Sequence, residues 1–356
     1  MDIFKKLEAD FLAQQIMLNL VSKIDQFKGK WEMAEKQDNK YLRELKKIAT
    51  IESTGSSTRI EGAKMTDEEI TEFLKNIKIT LLKTRDEQEV AGYYEALQII
   101  IDHYEDIPLT ESQVKNLHNM LLKFSSKDEH HRGNYKKLTN KVVANYPGGQ
   151  QRVIFQTTEP HLTEPEMYDL VNWSNEQFDK GTMHPLLVIG AFVYEFLSIH
   201  PFQDGNGRLA RLLTNLLLLK KGYQFIQYIS FEHVIEERKI EYYEVLMQGQ
   251  KNRNTEEEKI SSWILFYLNC LVTLTERLEL KYSHYKSKGG YLNERQKKIL
   301  DFMRLKEPVK LNDIVAALGN ISVNTIKKDL KYLKIEDYIE PIGERKGTVY
   351  VVKKEK

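Results

Sequence analysis

The sequence predicts a mostly α-helical protein with one small β-hairpin and a C-terminal winged helix-turn-helix. Three observations carry that prediction. Apolar residues recur at helical spacing from the N-terminus to about residue 280. One pair of β-rich runs interrupts them between residues 140 and 160. Beyond residue 290 the pattern changes to three short helical segments followed by a strand.

Residues 1–105 read as an N-terminal helical region. Leu42, Leu45, Ile48 and Ile51 are spaced along one face, and the stretch from the residue-40s to Ile60 is expected as a pair of helices. Thr66 followed by Glu69, and Thr110 followed by Gln113, are capping-box starts. Residues 141–146 and 151–155 are expected as strands, joined at the Pro147-Gly148-Gly149-Gln150 turn; an isolated hairpin needs a surface to pack on. Helices are expected over 185–199 and 207–221. The polar, Gly-ended stretch 283–290 is expected to be a linker. Beyond it, helices are expected at 294–305, at 311–318 closed by Gly319, and from a Ser322 cap to about Asp337. A Gly343–Gly347 loop and the strand 349–352 complete a two-stranded wing. The expected domains are 1–105, a core with its following helices at 106–282, the linker 283–290, and 291–356.

Composition narrows the function. The chain has 356 residues, which suggests two to three domains at roughly 150 each. Hydrophobic residues make up 41% and charged residues 29%, enough apolar material for real cores. Lys plus Arg is 53 against 52 for Asp plus Glu, so the whole chain is no polyanion binder, although one domain could be. The single cysteine, Cys270, excludes an intrachain disulfide or a zinc cluster. The N-terminus carries charges where a signal peptide needs an apolar core, and the greasiest stretch, 186–197, is broken by Glu195. A cytoplasmic protein without membrane contact is expected.

The chemistry concentrates in His200-Pro201-Phe202-Gln203-Asp204-Gly205-Asn206-Gly207-Arg208-Leu209-Ala210-Arg211. Pro201 takes His200 out of helical geometry. Asp-Gly-Asn-Gly permits positive φ and gathers backbone N–H groups. A helix then opens, with Arg208 and Arg211 three residues apart in its first turn. A Gly-rich nest, a helix N-terminus and two arginines make an anion site suited to a polyphosphate. Asp204 opposes a phosphate unless a cation lies between them, and Mg²⁺ bridging phosphates and one carboxylate fits. His200 is the residue here that takes a proton near neutral pH. Phe202 reads as an anchor for the loop.

This segment resembles the signature of the Fic family, His-Pro-Phe-x-Asp/Glu-Gly-Asn-Gly-Arg-x-x-Arg, at every defined position. The resemblance covers roughly residues 30–250. It implies a helical core with a β-hairpin flap, and transfer of AMP from ATP to a protein hydroxyl with release of pyrophosphate. By the same resemblance His200 is the general base for a Tyr, Thr or Ser hydroxyl, and Asp204 holds Mg²⁺ on the α- and β-phosphates. Gly205, Asn206 and Gly207 form the anion hole, with the Asn206 side chain near the α-phosphate. Arg208 contacts the phosphates and Arg211 orients the γ-phosphate. The hairpin, with Val142, Val143, Val153 and Ile154, is the flap that pairs a target segment by strand addition. Tyr242, beside Tyr243, flanks the adenine.

Ser57-Thr58-Arg59-Ile60-Glu61-Gly62 resembles the family's inhibitory motif, Ser/Thr-x-x-x-Glu-Gly/Asn. Ser57 and Glu61 share a helix face, and Gly62 ends the helix. The resemblance implies that Glu61 pairs with Arg211 in the place of the γ-phosphate, so that ATP binds with its α-phosphate misaligned.

The segment 291–356 has a mild basic excess, and Ser322, Asn324, Thr325, Lys327, Lys328 and Lys331 fall on its third helix. DNA is the alternative partner there. The expected function is an autoinhibited protein adenylyltransferase using Mg²⁺ and ATP on an unidentified target protein. The alternatives are a DNA-binding regulator that uses the Fic domain as a nucleotide sensor, and a hydrolase that removes AMP. A homodimer is compatible with the sequence.

Overall fold

The structure, a computed structural model, describes residues 3–36, 40–76, 82–145, 151–288, 292–319, 321–335, 338–343 and 348–353. It divides into two compact units, Met1–Arg277 and Leu278–Lys356. The first carries α1 (Ile3–Leu7), α2 (Phe11–Glu35), α3 (Lys40–Glu61), α4 (Asp67–Asn76), α5 (Arg85–His103) and α6 (Glu111–Leu121). The strands β1 (Lys141–Asn145) and β2 (Gln151–Gln156) follow. Then come α7 (Pro160–Lys180), α8 (Pro185–Ile199), α9 (Asn206–Lys220), α10 (Phe231–Glu237) and α11 (Lys239–Gln250). The helix α12 (Ser261–Lys288) runs past the unit boundary.

Residues 1–105 are not a separate domain. α3 packs on α5, α9 and α10, so the first helices and the core share one interior. The stretch expected as a helix pair is one continuous helix, α3, because no Gly-Pro punctuation breaks it. Leu42 and Leu45 are buried, whereas Ile48 and Ile51 are half-buried. The box at the start of α4 closes both ways: Glu69 N–H donates to Thr66 Oγ1 at 3.3 Å, and Thr66 N–H to Glu69 Oε2 at 2.9 Å. At α6 the Thr110 side chain accepts from Gln113 N–H at 3.2 Å.

β1 and β2 pair antiparallel. Val142 faces Phe155 and Val143 faces Val153, so Ile154 is the extra residue of a bulge. The expected turn at 147–150 lies outside the described residues. The surface that the hairpin needs comes from α11, beside which β2 runs.

The expected linker is mostly helix. α12 continues through Lys288, because 261–288 holds no Pro or Gly to stop it; residues 289–291 lie outside the described set. The second unit has its own apolar core, including Ile299, Met303, Ile314, Ile326, Leu330 and Leu333. It contains α13 (Glu294–Lys306), β3 (Val309–Lys310), α14 (Leu311–Leu318), α15 (Val323–Ile335), β4 (Ile339–Ile342) and β5 (Val349–Val352). The sheet has three strands in the order β3-β5-β4, one more than expected. β3 is two residues long, too short for a periodic signal. The expected 343–347 loop is described only at Gly343. Among the described residues no helix is long and apolar enough to cross a membrane.

Candidate active site

The site forms between α8 and α9. α8 is buried along nearly its whole length, which makes it a fixed support. His200 caps it with φ 53° and ψ 58°, a left-handed conformation uncommon for any residue but glycine. Its N–H donates to Phe196 O at 2.9 Å. Gly205 then takes φ 80° and α9 begins at Asn206. The N–H groups of Asn206, Gly207 and Arg208 are the first of α9 and have no acceptor within the helix.

The loop is held from inside. Phe202 is fully buried, its ring stacked on His118 of α6 at 3.8 Å between centroids. The Asn206 side chain staples the turn: Phe202 N–H donates to Oδ1 at 2.8 Å, and Nδ2 donates to Phe202 O at 2.7 Å. The Asn206 oxygen is thus spent on the loop, while Nδ2 keeps a second N–H. His118 Nδ1 accepts from Gly133 N–H at 2.8 Å, so Nε2 carries the proton and donates to Asp204 O at 2.9 Å. Burial pushes His118 down to about 4, which keeps that tautomer neutral. Lys136 N–H donates to Pro201 O at 2.8 Å and its ammonium to Ile199 O at 2.9 Å.

His200 Nδ1 lies 3.3 Å from Leu197 O. A carbonyl only accepts, so that contact puts the proton on Nδ1 and leaves a lone pair on Nε2. Burial, together with the nearby Lys136 ammonium, pushes His200 down to about 4. It is a neutral base at physiological pH.

A cavity of about 240 Å³ gathers the remaining groups. It is lined by His200, Gln203, Asp204, Gly205, Asn206 and Gly207 of the loop, by Arg211 of α9, by Glu61 of α3, and by Tyr242, Tyr243 and Leu246 of α11. Arg211 is buried and spans to α3: Nη2 donates to Glu61 Oε1 at 2.7 Å and to Ser57 O at 3.0 Å, and Nε to Ser57 Oγ at 2.8 Å. Gly207 makes room for this, since a Cβ there would overlap Glu61 Oε1. Desolvation opposes the Glu61 charge, but the Arg211 and Arg208 guanidiniums outweigh it and hold the carboxyl below its usual value. Gly62, at φ 112°, ends α3 as expected.

Arg208 lies buried. Its Nη2 donates to Asp204 Oδ1 at 3.2 Å, and Nη1 sits 3.3 Å from Glu89 Oε2. Nε and Nη1 have no hydrogen-bond acceptor among the described residues. Desolvation opposes the Asp204 charge too, but Arg208 and the Gly205 N–H keep its carboxyl below the usual value. One ionised carboxylate on a phosphate-sized cavity fits Mg²⁺, which binds through one or two carboxylates plus phosphates and waters. No cluster of three metal-ligating side chains occurs among the described residues.

Residues 108–218, from the approach to α6 through most of α9, match the model of the Fic/DOC family. The chain carries a Fic/DOC domain. A protein adenylyltransferase Fic of Drosophila melanogaster is 29% identical over 189 residues, 52% of this chain and 36% of the relative. The match thus spans about a third of that relative's length. A Fic family protein from Desulfovibrio desulfuricans shares the fold over 98% of both chains, with a TM-score of 0.64 at 22% identity. A Fic domain containing signaling protein from Bacteroides thetaiotaomicron is 25% identical, with a TM-score of 0.58, over 76% of this chain and 100% of that one.

Glu61, Ser57 and Tyr242 lie outside the matched Fic segment, yet the fold brings Glu61 and Tyr242 to its cavity and Ser57 to Arg211. Val142, Val143, Val153 and Ile154 sit on the hairpin beside α11. Sequence reasoning missed His118, Lys136 and Arg59. Their decisive partners, Asp204, Ile199 and Glu236, lie 86, 63 and 177 residues away, so no local spacing marks them.

Proposed function

We propose that this chain transfers AMP from ATP to a Tyr, Thr or Ser hydroxyl of a protein, itself included, and that Glu61 restrains it. One observation carries the reading: a neutral His200 with a lone pair on Nε2, the open N-terminus of α9 and Arg211 all face one cavity. The name of the Drosophila relative, protein adenylyltransferase, supports the same chemistry.

The reaction follows from the groups present. The target hydroxyl attacks the α-phosphorus while His200 Nε2 takes its proton. The bond between the α-phosphorus and the oxygen bridging to the β-phosphate breaks, and pyrophosphate leaves. Backbone N–H groups of the Gly205-Asn206-Gly207 turn would receive the charge that grows on the α-phosphate oxygens. Arg208 would contact the phosphates, as the family signature implies. Asp204 would hold Mg²⁺, which supplies charge neutralisation on the phosphates. Arg211 would orient the γ-phosphate, and Tyr242 would flank the adenine. The hairpin would align the target backbone by strand addition. Glu61 already occupies Arg211, so the γ-phosphate and the carboxylate compete for one guanidinium.

The test follows label from the α-phosphate of ATP into protein, with wild type and His200→Ala. A general base contributes about 10²–10⁴-fold, so the variant should fall by that factor while still binding ATP. Equal incorporation would sink the mechanism.

A second reading concerns the second unit alone. The solvent face of α15 carries Lys327, Lys328, Lys331 and Lys334, while Asp329, on its buried side, is spent on Arg295 at 3.0 Å. We infer duplex DNA as the partner of this face. The full chain should bind duplex with an affinity that falls steeply with salt, and K327E/K328E/K331E should abolish it. Binding that the triple variant leaves intact refutes the reading.

A further inference from the structure

Glu61 reaches Arg211 through one hydrogen bond from the last residue of a helix. Helix ends fray, because their last carbonyls lack partners. Here Arg211 holds Ser57, and the Gly62 and Ala63 N–H groups donate to Arg59 O and Thr58 O, while a further contact anchors the end from the other side.

Arg59 does so from the opposite side of α3. Ser57 and Glu61 face Arg211, and a residue midway between them points away, toward α4 and α10. There Arg59 Nε and Nη2 grip both oxygens of Glu236 at 2.7 and 3.0 Å. Nη1 donates to Asp67 Oδ1 at 2.8 Å and to Met65 O at 3.1 Å, and Nη2 also donates to Ser56 Oγ at 3.2 Å. All five guanidinium N–H donors therefore have an acceptor. The fork ties the last turn of α3 to α10 and, across the Gly62–Thr66 return, to the start of α4. Gly55 leaves space for it, since a Cβ there would overlap Asp67 Oδ1 and crowd Arg59 Nη1. Lys239 adds a second tether, donating to Ile60 O at 2.7 Å. None of these groups lines the cavity.

We propose that Arg59 is the positioning residue of the restraint: its bridge to Glu236 and Asp67 fixes the end of α3 and thereby holds Glu61 on Arg211. This rests on the reading of Glu61 as a brake. Lysine cannot replace the fork, because a single ammonium cannot grip Glu236 at both oxygens and still reach Asp67 and Met65.

The experiment measures α-phosphate label incorporation at saturating Mg-ATP for wild type, Glu61→Gly, Arg59→Met, Arg59→Lys and the Arg59→Met/Glu61→Gly double variant. Arg59→Met should raise the rate severalfold toward that of Glu61→Gly, with Arg59→Lys between it and wild type. In the Glu61→Gly background Arg59→Met should change the rate by less than twofold, because the restraint is already gone. If Glu61→Gly is fast and Arg59→Met is no faster than wild type, the positioning role is refuted while the brake stands. If Glu61→Gly is itself no faster, the brake reading fails and takes this inference with it. Equal slowing by Arg59→Met in both backgrounds would mark a merely structural arginine and also refutes the proposal. Should Arg59→Met fail to melt cooperatively, Asp67→Asn and Glu236→Gln each remove one leg at constant volume. Each should then give a partial rise that vanishes in the Glu61→Gly background; no rise in either refutes the proposal.

Discussion

Replacing Glu61 by glutamine keeps the shape of the side chain and removes its charge. In the structure the carboxylate takes a charge-assisted bond from Arg211 Nη2 at 2.7 Å. Such bonds contribute about 1.5–3 kcal/mol. If that energy must be given up before the γ-phosphate can claim Arg211, its removal raises the rate by about 10- to 150-fold. The Glu61 side chain is 32% exposed, and solvent screening moves the expectation toward the lower end, about tenfold. Glutamine still offers a neutral acceptor, so Glu61→Gly should be faster than Glu61→Gln. Glycine also weakens the helix end by about 1 kcal/mol, which makes glutamine the cleaner control. Arg211→Ala should be inactive with or without Glu61→Gly, because the γ-phosphate then has no anchor. The assay is initial-rate incorporation of α-phosphate label into lysate protein and into the chain itself. Rates for both Glu61 variants equal to wild type, with targets present, would refute the competition for Arg211 and return Glu61 to an ordinary helix-end residue.

Three further outcomes are expected. His200, held near pH 4 by burial and Lys136, should give an acid limb of the rate profile close to that value; Lys136→Met should move the limb upward, and a wild-type limb near 6.5 contradicts the environment described. Asp204→Ala should abolish most activity together with its Mg²⁺ dependence, and transfer that persists in EDTA would remove the metal role from Asp204. His118, fully buried and depressed from 6.5 to about 4, binds its proton more tightly when unfolded; its stabilisation is complete above pH 6.5 and is lost as pH falls through 4, up to about 3 kcal/mol, so the urea midpoint should drop over that window and drop less in His118→Gln.

Much of the fold was legible because its signals are local. The helix 185–199 is read from an apolar run interrupted at Glu195, and the structure places α8 over those residues. The caps at Thr66 and Ser322 depend on a side chain reaching a backbone group three residues on, so spacing alone announces them. Domain division was not legible in the same way. Residues 1–105 and the core are joined by burial between α3, α5, α9 and α10, a property of faces and not of runs. The linker expectation failed at 283–288 because polar composition describes solvent contact, and an exposed helix is polar as well.

The sequence by itself determined the candidate set. Histidine, aspartate, three loop residues and two arginines fall within twelve positions, and a turn followed by a helix start must bring them together. Tertiary structure alone decided what surrounds them. It placed His118 beneath the loop from 86 residues away, which frees no choice of tautomer for its ring. It buried His200 and set Lys136 beside it, and both push that imidazole down to about 4. It carried Glu61 across 150 residues to Arg211, and secured it with an arginine whose acidic partner Glu236 lies 177 residues away. Hydrogen bonds and charge act over a few ångströms in space, without regard to separation along the chain. Residues that are neighbours in sequence announce their chemistry, and those joined only by folding do not.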